Sequence, residues 1–287
     1  MNRSFKIYVY PHRKDDPFAN VLLPVKTEPG GNYASESYFK KALMKSHFIT
    51  NDPTEADLFF MPFSIASLRH DRRVGVGGIK DFIRDYVQNM ILKYPYWNRT
   101  GGADHFYVAC HSIGRTAMDK APDVKFNAIQ VVSNSALRRN IVETWKNDSE
   151  IFVHHRRLKT PYADELLGSK FCLHVKGFEV NTARIGDSLY YGCVPVIIAD
   201  HYDLPFADVL NWKSFSVVVT TFDIPLLKKI LKSKVNSGDY LMLQKNVLKV
   251  RKHFQWHSPP LEFDSFYMVM YELWLRRSSI PILLGDS

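Results

Sequence analysis

Apolar and polar positions along this chain change period in a regular order, that of strands alternating with helices. Residues 5–10 alternate with a period of two and predict a first strand, and the polar stretch 12–32, with two Pro-containing turns, predicts a loop. Helical spacing follows over 35–45. The continuous apolar run 58–63, introduced by Asp52-Pro53 and Glu55, predicts a buried strand. The glycine-rich stretch 74–78 predicts a turn ahead of an amphipathic helix over 79–93. It lacks the Gly-Lys-Ser/Thr ending of a phosphate loop and follows no convincing strand, so a plain loop is the better reading. Gly101-Gly102 then turns the chain into a strand over 106–110.

The most informative pattern lies between Ser169 and Trp212. Phe171–Val175 predicts a buried strand, Lys176-Gly177 breaks it, and Asn181 or Thr182 can cap a helix carrying Ile185, Leu189 and Tyr190 on one face. Gly192 ends that helix, and the mostly β-branched run 194–199 predicts a second strand. A helix between two such strands is a right-handed βαβ unit of a parallel sheet, whose ligands bind at the carboxyl ends of the strands. Glu179 and Asp187 lie eight residues apart, about two helical turns, so both carboxylates share a face if the helix starts near Glu179. Arg184, three residues before Asp187, completes a set that suits a nucleotide diphosphate: a cation and backbone amides for phosphate, a carboxylate for ribose hydroxyls. The same pair also suits a solvated ion pair on a helix surface, and the spacing does not choose between them.

The rest of the carboxyl half keeps the rhythm. Ser133-Asn-Ser-Ala-Leu-Arg-Arg-Asn140 leads straight into a helix, the apolar residues 151–153 follow, and Tyr162–Leu167 predicts a short helix. A strand over 215–219 and helices over 225–231, 237–254 and 264–277 complete the pattern. The last helix carries the stripe Phe266, Met270, Leu273 and Trp274, a packing surface rather than a cofactor box.

Composition narrows the classes. At 287 residues and 46% hydrophobic content the chain can form two domains of ordinary size or one large one. The net charge of +9 invites a nucleic-acid reading, but the basic residues are dispersed among acids and no nucleic-acid motif accompanies them; anionic donors or acidic polysaccharide fit as well. No run approaches 18 apolar residues, and Met-Asn-Arg-Ser-Phe-Lys is no signal peptide, so the chain by itself is expected to have no route into the secretory pathway. Cys110, Cys172 and Cys193 have an odd count and no metal-ligand spacing; the expectation is three core thiols and no disulfide framework. His154-His155 on a strand would point to opposite faces with no third ligand suitably spaced, so no metal site is expected. Asn98-Arg-Thr100 and Asn147-Asp-Ser149 are glycosylation acceptors if the chain meets the lumen. His111, at the carboxyl end of the 106–110 strand, and Asp104, just before it, are candidate bases for an acceptor hydroxyl, against the alternative of a histidine satisfied by backbone groups.

Gly-Phe-Glu-Val-x-x-x-Arg-x-x-Asp-x-x-x-x-Gly-Cys-Val-Pro-Val-Ile from Gly177, followed by Leu204-Pro-Phe-Ala-Asp-Val-Leu-Asn-Trp212, resembles the nucleotide-sugar-binding half of exostosin-type glycosyltransferases, family 47, in particular their plant branch. Tyr33-Ala-Ser-Glu-Ser-Tyr-Phe39, Asp52-Pro-Thr-Glu-Ala-Asp-Leu-Phe-Phe60, Tyr94-Pro-Tyr-Trp-Asn-Arg99 and Gly101-Gly-Ala-Asp-His-Phe106 resemble that branch too, so the likeness covers nearly the whole chain. Three departures stand out. The plant branch has His-Asp where this chain has His111-Ser112, more often Glu where it has Asp187, and a longer segment between Val132 and Glu143. That segment holds the interdomain connection and a first strand of the second domain.

The resemblance implies an α/β protein of two Rossmann-like domains facing a cleft, GT-B-like, the second domain incomplete and a final helix crossing back. The expected boundaries are 1–136 for the acceptor side, 137–262 for the nucleotide-sugar side and 263–287 for the returning helix and tail. It implies an inverting glycosyltransferase with a nucleotide-sugar donor, a uridine diphosphate sugar, no bound-metal motif and a cell-wall polysaccharide or glycan acceptor. His111 or Asp104 would be the base, Arg184 and Lys176 beside Gly177 would hold the diphosphate, and Glu179 and Asp187 would hold ribose or sugar hydroxyls. It further implies a Golgi membrane location through an N-terminal anchor that this sequence does not show, and association with other Golgi transferases. Two rivals stand beside it. One is an inactive relative that binds nucleotide or glycan without transfer, and the other is a basic carbohydrate- or nucleic-acid-binding module.

Overall fold

The computed structural model describes residues 5–25, 34–109, 114, 116–131, 138–153, 160–175, 183–198 and 204–278. The chain divides into two compact units, residues 1–133 with 258–260 and 269–287, and residues 134–257 with 261–268.

In the first unit the order is β1 (Ile7–Val9), α1 (Ala19–Leu22), α2 (Ala34–Leu43), β2 (Ile49–Thr50), β3 (Leu58–Phe60), α3 (Ile65–His70), α4 (Gly75–Lys93), β4 (His105–Val108), α5 (Pro122–Asn127) and β5 (Ile129–Val131). The five strands form one parallel sheet in the order β2-β1-β3-β4-β5, with Ile7 opposite both Ile49 and Leu58, Phe59 opposite His105 and Phe106 opposite Ile129. This is a doubly wound order whose direction reverses beside β1, and such a switch point leaves a crevice at the carboxyl ends of β1 and β3. The central strands β3 and β4 are buried at every position, as parallel strands covered on both faces must be. Ile79, Ile83, Val87 and Met90, three to four residues apart on α4, are buried against the unit's core.

The second unit contains α6 (Arg138–Trp145), α7 (Tyr162–Leu167), β6 (Phe171–Val175), α8 (Ala183–Tyr191), β7 (Val194–Ile198), β8 (Val217–Val219), α9 (Leu227–Asn236) and α10 (Asp239–Val250). Its described strands form a three-stranded parallel sheet, β6-β7-β8, and β6 pairs with β7 from Phe171–Val194 to Val175–Ile198. The predicted strand, helix and strand are therefore a parallel βαβ unit. A last helix, α11 (Ser265–Arg277), is capped by Asp264, whose Oδ1 accepts from the amides of Phe266 and Tyr267 at 3.0 and 3.3 Å. From Val269 onward it belongs to the first unit, where Arg277 Nη1 pairs with Asp57 Oδ1 at 3.1 Å. Phe266, Met270 and Leu273 of its apolar stripe are buried.

Four expectations are corrected. Cys172 and Cys193 are joined in a disulfide rather than standing as separate thiols; Cys110 lies outside the described residues. Adjacent strand registers place Cys172 on β6 beside the residue that enters β7, with Cα atoms 5.8 Å apart, within disulfide reach. Gly75, Gly77 and Gly78 open α4 instead of forming a turn before it: Gly75 takes φ +57°, which glycine adopts without strain, and the Gly78 amide already bonds to the Val74 carbonyl at 3.1 Å. Tyr190 is exposed, not on the buried face with Ile185 and Leu189, since five residues advance a helix well past one turn. The loop predicted over 12–32 contains the short α1.

Candidate functional site

In the second unit, the helix of the βαβ motif carries the described donor-site candidates. Buried Ile185 and Leu189 fix α8 to the sheet, and its end is set by Gly192. Gly192 takes φ +79°, its amide bonds to the Leu189 carbonyl, and that of Cys193 reaches the Ser188 carbonyl at 2.9 Å. The fixed helix leaves Arg184 exposed and Asp187 half-buried. Arg184 makes no ion pair with a described carboxylate, so the two residues do not form the helix-surface pair that their spacing allows. Asp187 instead accepts a hydrogen bond from the Tyr162 hydroxyl on α7. Burial raises the Asp187 carboxyl above its ordinary value, more than that bond and the charge of Arg184 lower it. Burial, with the charge of Asp187, likewise raises Tyr162. An exposed cation near a poorly solvated carboxyl is a pairing that can meet an anionic group and a hydroxyl together. Lys176, Gly177 and Glu179 lie outside the described residues.

The first unit holds a buried polar chain around the other candidate. Gly102 takes φ +90° with the Trp97 ring so close that a Cβ would lie 2.3 Å from it, and this turn places Asp104 at the start of β4. Asp104 is 1% exposed and accepts from Arg99 Nε at 2.8 Å, Thr100 Oγ1 at 2.7 Å and His105 Nδ1 at 2.7 Å. Burial pushes its carboxyl up, but the bonds from His105 and Thr100 and the charge of Arg99 outweigh burial and leave it below its ordinary value. A buried carboxylate with both oxygens occupied and a lowered pKa is a weak base. His105, fully buried, is stacked 4.9 Å from Phe59 and meets the Tyr10 hydroxyl through Nε2 at 2.7 Å. Burial lowers the His105 pKa and raises that of Tyr10, so a neutral imidazole donates to Asp104 and accepts from Tyr10. His111 lies outside the described residues.

Two features of this chemistry were hidden in the sequence. Tyr162 gave no signal as the partner of Asp187, because the contact joins residues on separate helices. His105 stood in plain view beside Asp104, but its link to Tyr10 crosses from β4 to the end of β1. A cleft also opens in the first unit just beyond β1, lined by Tyr10, His12, Asp16, Tyr86 and Tyr94 among others.

The Exostosin GT47 domain profile matches residues 1–137 and 132–234. The chain belongs to the exostosin GT47 family. A protein of Arabidopsis thaliana named "Probable glycosyltransferase" is 34% identical over 98% of this chain and 64% of its own length, so the chain spans about two thirds of that relative. A "Probable glucuronoxylan glucuronosyltransferase" of the same plant is 24% identical over 85% of this chain and 67% of its own length. A "Probable beta-1,4-xylosyltransferase", also from Arabidopsis thaliana, is 27% identical over 70% of this chain and 64% of its own length. The exostosin match comes in two stretches that overlap at 132–137. The alignment with the first relative runs over 339 positions, more than the 287 residues of this chain, so that relative holds residues within the shared span that this exostosin relative lacks.

Proposed function

We propose that this protein transfers a sugar from a nucleotide sugar, a uridine diphosphate sugar, to a cell-wall polysaccharide or related glycan, inverting the anomeric centre. The observation that carries this reading is the parallel βαβ unit of an exostosin-family chain, with Arg184 exposed and Asp187 beside Tyr162 on its helix. In a single displacement the acceptor oxygen bonds to the anomeric carbon as the bond to the diphosphate breaks, and a base takes the hydroxyl proton. Arg184, with Lys176, would neutralise the departing diphosphate, and Asp187, with Glu179, would accept from ribose or sugar hydroxyls. His111 is the proposed base.

The Cys172–Cys193 disulfide supports maturation in an oxidising compartment such as the Golgi lumen, since structural disulfides persist there and rarely in the cytosol. Asn98 and Asn147, in the two acceptor triplets, are both exposed and can accommodate glycans. No described helix is long and apolar enough to cross a membrane.

A nucleotide titration tests the donor site. Arg184→Ala is expected to weaken uridine diphosphate binding by about 1.5 to 3 kcal/mol, as loss of a hydrogen bond to a charged group does. Unchanged affinity in a folded variant would remove Arg184 from the site. The break at 132–137 favours a second reading, an inactive relative, which predicts nucleotide binding without hydrolysis or transfer of the sugar.

A further inference from the structure

The positive charge of this chain is concentrated in one place. Residues 225–254 hold eight lysines and arginines against one carboxylate, Asp239, a net +7 within the +9 of the whole chain. On α9 much of that charge is answered locally. Lys228 pairs with Asp148 at 2.9 Å and Glu150 at 2.7 Å, Lys232 with Glu150 at 2.9 Å, and Lys234 with Asp239 at 2.9 Å. On α10 it is not: Lys245 and Lys249 are exposed and pair with no described carboxylate.

The apolar residues beside these lysines add a second observation. One face of α10 is fixed to the unit, with Leu243 and Val247 buried in its core and Asn246 Nδ2 donating to the Ser214 carbonyl at 2.8 Å. On the other side Leu241, Met242, Lys245, Leu248 and Lys249 fall within an arc of about 120°, at 100° per residue. All five are exposed, Leu241 by 68% and Met242 by 61%, and no acidic residue lies on the arc. A surface helix ordinarily turns its polar residues outward, and single exposed apolar side chains need no explanation, but a row of them over two turns does. The row continues beyond the helix, where Lys252 lies 5.4 Å over the exposed ring of Phe263. Phe263 takes φ +63°, a left-handed conformation that bulky residues rarely adopt, and its carbonyl accepts from His253 Nδ1 at 2.6 Å. An aromatic ring is thus held toward solvent beside a lysine at a cost in backbone strain, which points to a use. Of the acids nearest in sequence, Asp239 is paired with Lys234, Asp264 caps α11, and Glu262 stands next to Phe263.

This chemistry selects the partner. The face is the convex side of one helix and carries no hydroxyl or amide that could order a sugar. An acidic polysaccharide would engage the lysines and leave Leu241, Met242 and Phe263 in water. A bilayer with anionic headgroups uses both sets: lysine stems lie along the surface with their ammonium groups among the headgroups, and apolar tips enter the acyl boundary. We propose that this face of α10, with Lys252 and Phe263, docks the second unit on an anionic lipid surface. The proposal goes beyond the transferase reading and does not rest on it, since an inactive relative would dock in the same way.

The test is flotation of the whole chain with vesicles of phosphatidylcholine alone and of phosphatidylcholine mixed with phosphatidylserine. The chain should bind the mixed vesicles only, and less as salt rises. Lys245→Glu with Lys249→Glu should weaken binding at least about tenfold, because each lysine near such a surface counts for about fivefold. Leu241→Gln with Met242→Gln should weaken it as well, with no change in charge. Lys14→Glu with Lys45→Glu, at exposed positions of the first unit, makes the same change in net charge and should leave binding nearly unaltered. All three double variants should melt with the parent protein. Absence of binding to mixed vesicles at low salt, or equal loss in the Lys14 and Lys45 variant, would overturn the proposal. So would full binding by the Leu241 and Met242 variant, or tighter binding to polygalacturonate or polyglutamate than to the vesicles.

Discussion

Lys40 shows how single residues in this chain are set by burial rather than by sequence neighbours. Its position on an amphipathic helix suggests a solvated lysine, yet it is 4% exposed and its ammonium donates to the Val21 carbonyl at 2.8 Å. Burial pushes its pKa down to about 8, against the raising effect of Glu36 one turn away. The unfolded chain binds the proton near the ordinary 10.5, so the folded state carries a cost that is full below pH 8 and relieved as pH rises toward 10.5. Melting temperature is therefore expected to rise from pH 7 to 9.5, by an amount equivalent to roughly 3 kcal/mol at most. Above pH 10 the raised pKa values of Tyr10 and Tyr86 act in the opposite direction, because the unfolded chain then releases their protons first. Lys40→Met should flatten the rise. An equally steep rise in that variant would assign the effect elsewhere. The same logic governs Asp104 and His105, adjacent in sequence and plainly titratable, whose closure into a buried chain with Tyr10 depends on strands brought together by the sheet.

At the scale of elements, the βαβ unit was the most legible part of the chain. Phe171–Val175 is the strand that its apolar run predicts, and β7 ends one residue before the predicted boundary, at the last described position. Short β-branched runs separated by a capped amphipathic helix leave few other solutions. What the pattern could not give was the covalent tie, since counting cysteines ignores which strands become neighbours. The Cys172–Cys193 bond closes a loop of 21 residues that contains all of α8, and with it Arg184 and Asp187. Constraint of that loop in the unfolded chain should contribute about 3 kcal/mol. Replacing both cysteines with serine should lower the melting temperature by several degrees and weaken uridine diphosphate binding more than it disturbs the first unit. Equal melting temperatures for the variant and the parent protein would show that the bond adds nothing.

At the scale of the whole molecule, the exostosin match falls into two stretches that overlap at 132–137, and the aligned span of the first relative is longer than this chain. The first unit has a five-stranded sheet, while the described part of the second has three strands. The first strand of a nucleotide-binding domain is followed by the turn whose amides meet the diphosphate, so on the reading proposed above a domain shortened there would keep one wall of the site and lose another. This chain is therefore expected to bind nucleotide but to transfer sugar slowly, because a small misplacement of donor against acceptor can cost about a hundredfold in rate. Inserting a family-like segment after Ser133 should raise both melting temperature and turnover, measured with donor and acceptor. Robust transfer by the unmodified chain would refute the defect.

The sequence by itself determined the α/β class, the order of the main strands and helices and the family, because period and turn chemistry are local and the exostosin motifs are runs of neighbouring residues. Only the tertiary structure decided that Cys172 meets Cys193, that Tyr162 meets Asp187, that Asp104 is sealed behind Arg99 and His105, and that a cleft opens beside His12. Each is a contact between residues far apart in the chain, set by strand register and helix packing, and the pattern of a single chain carries no record of either until the sheet has formed.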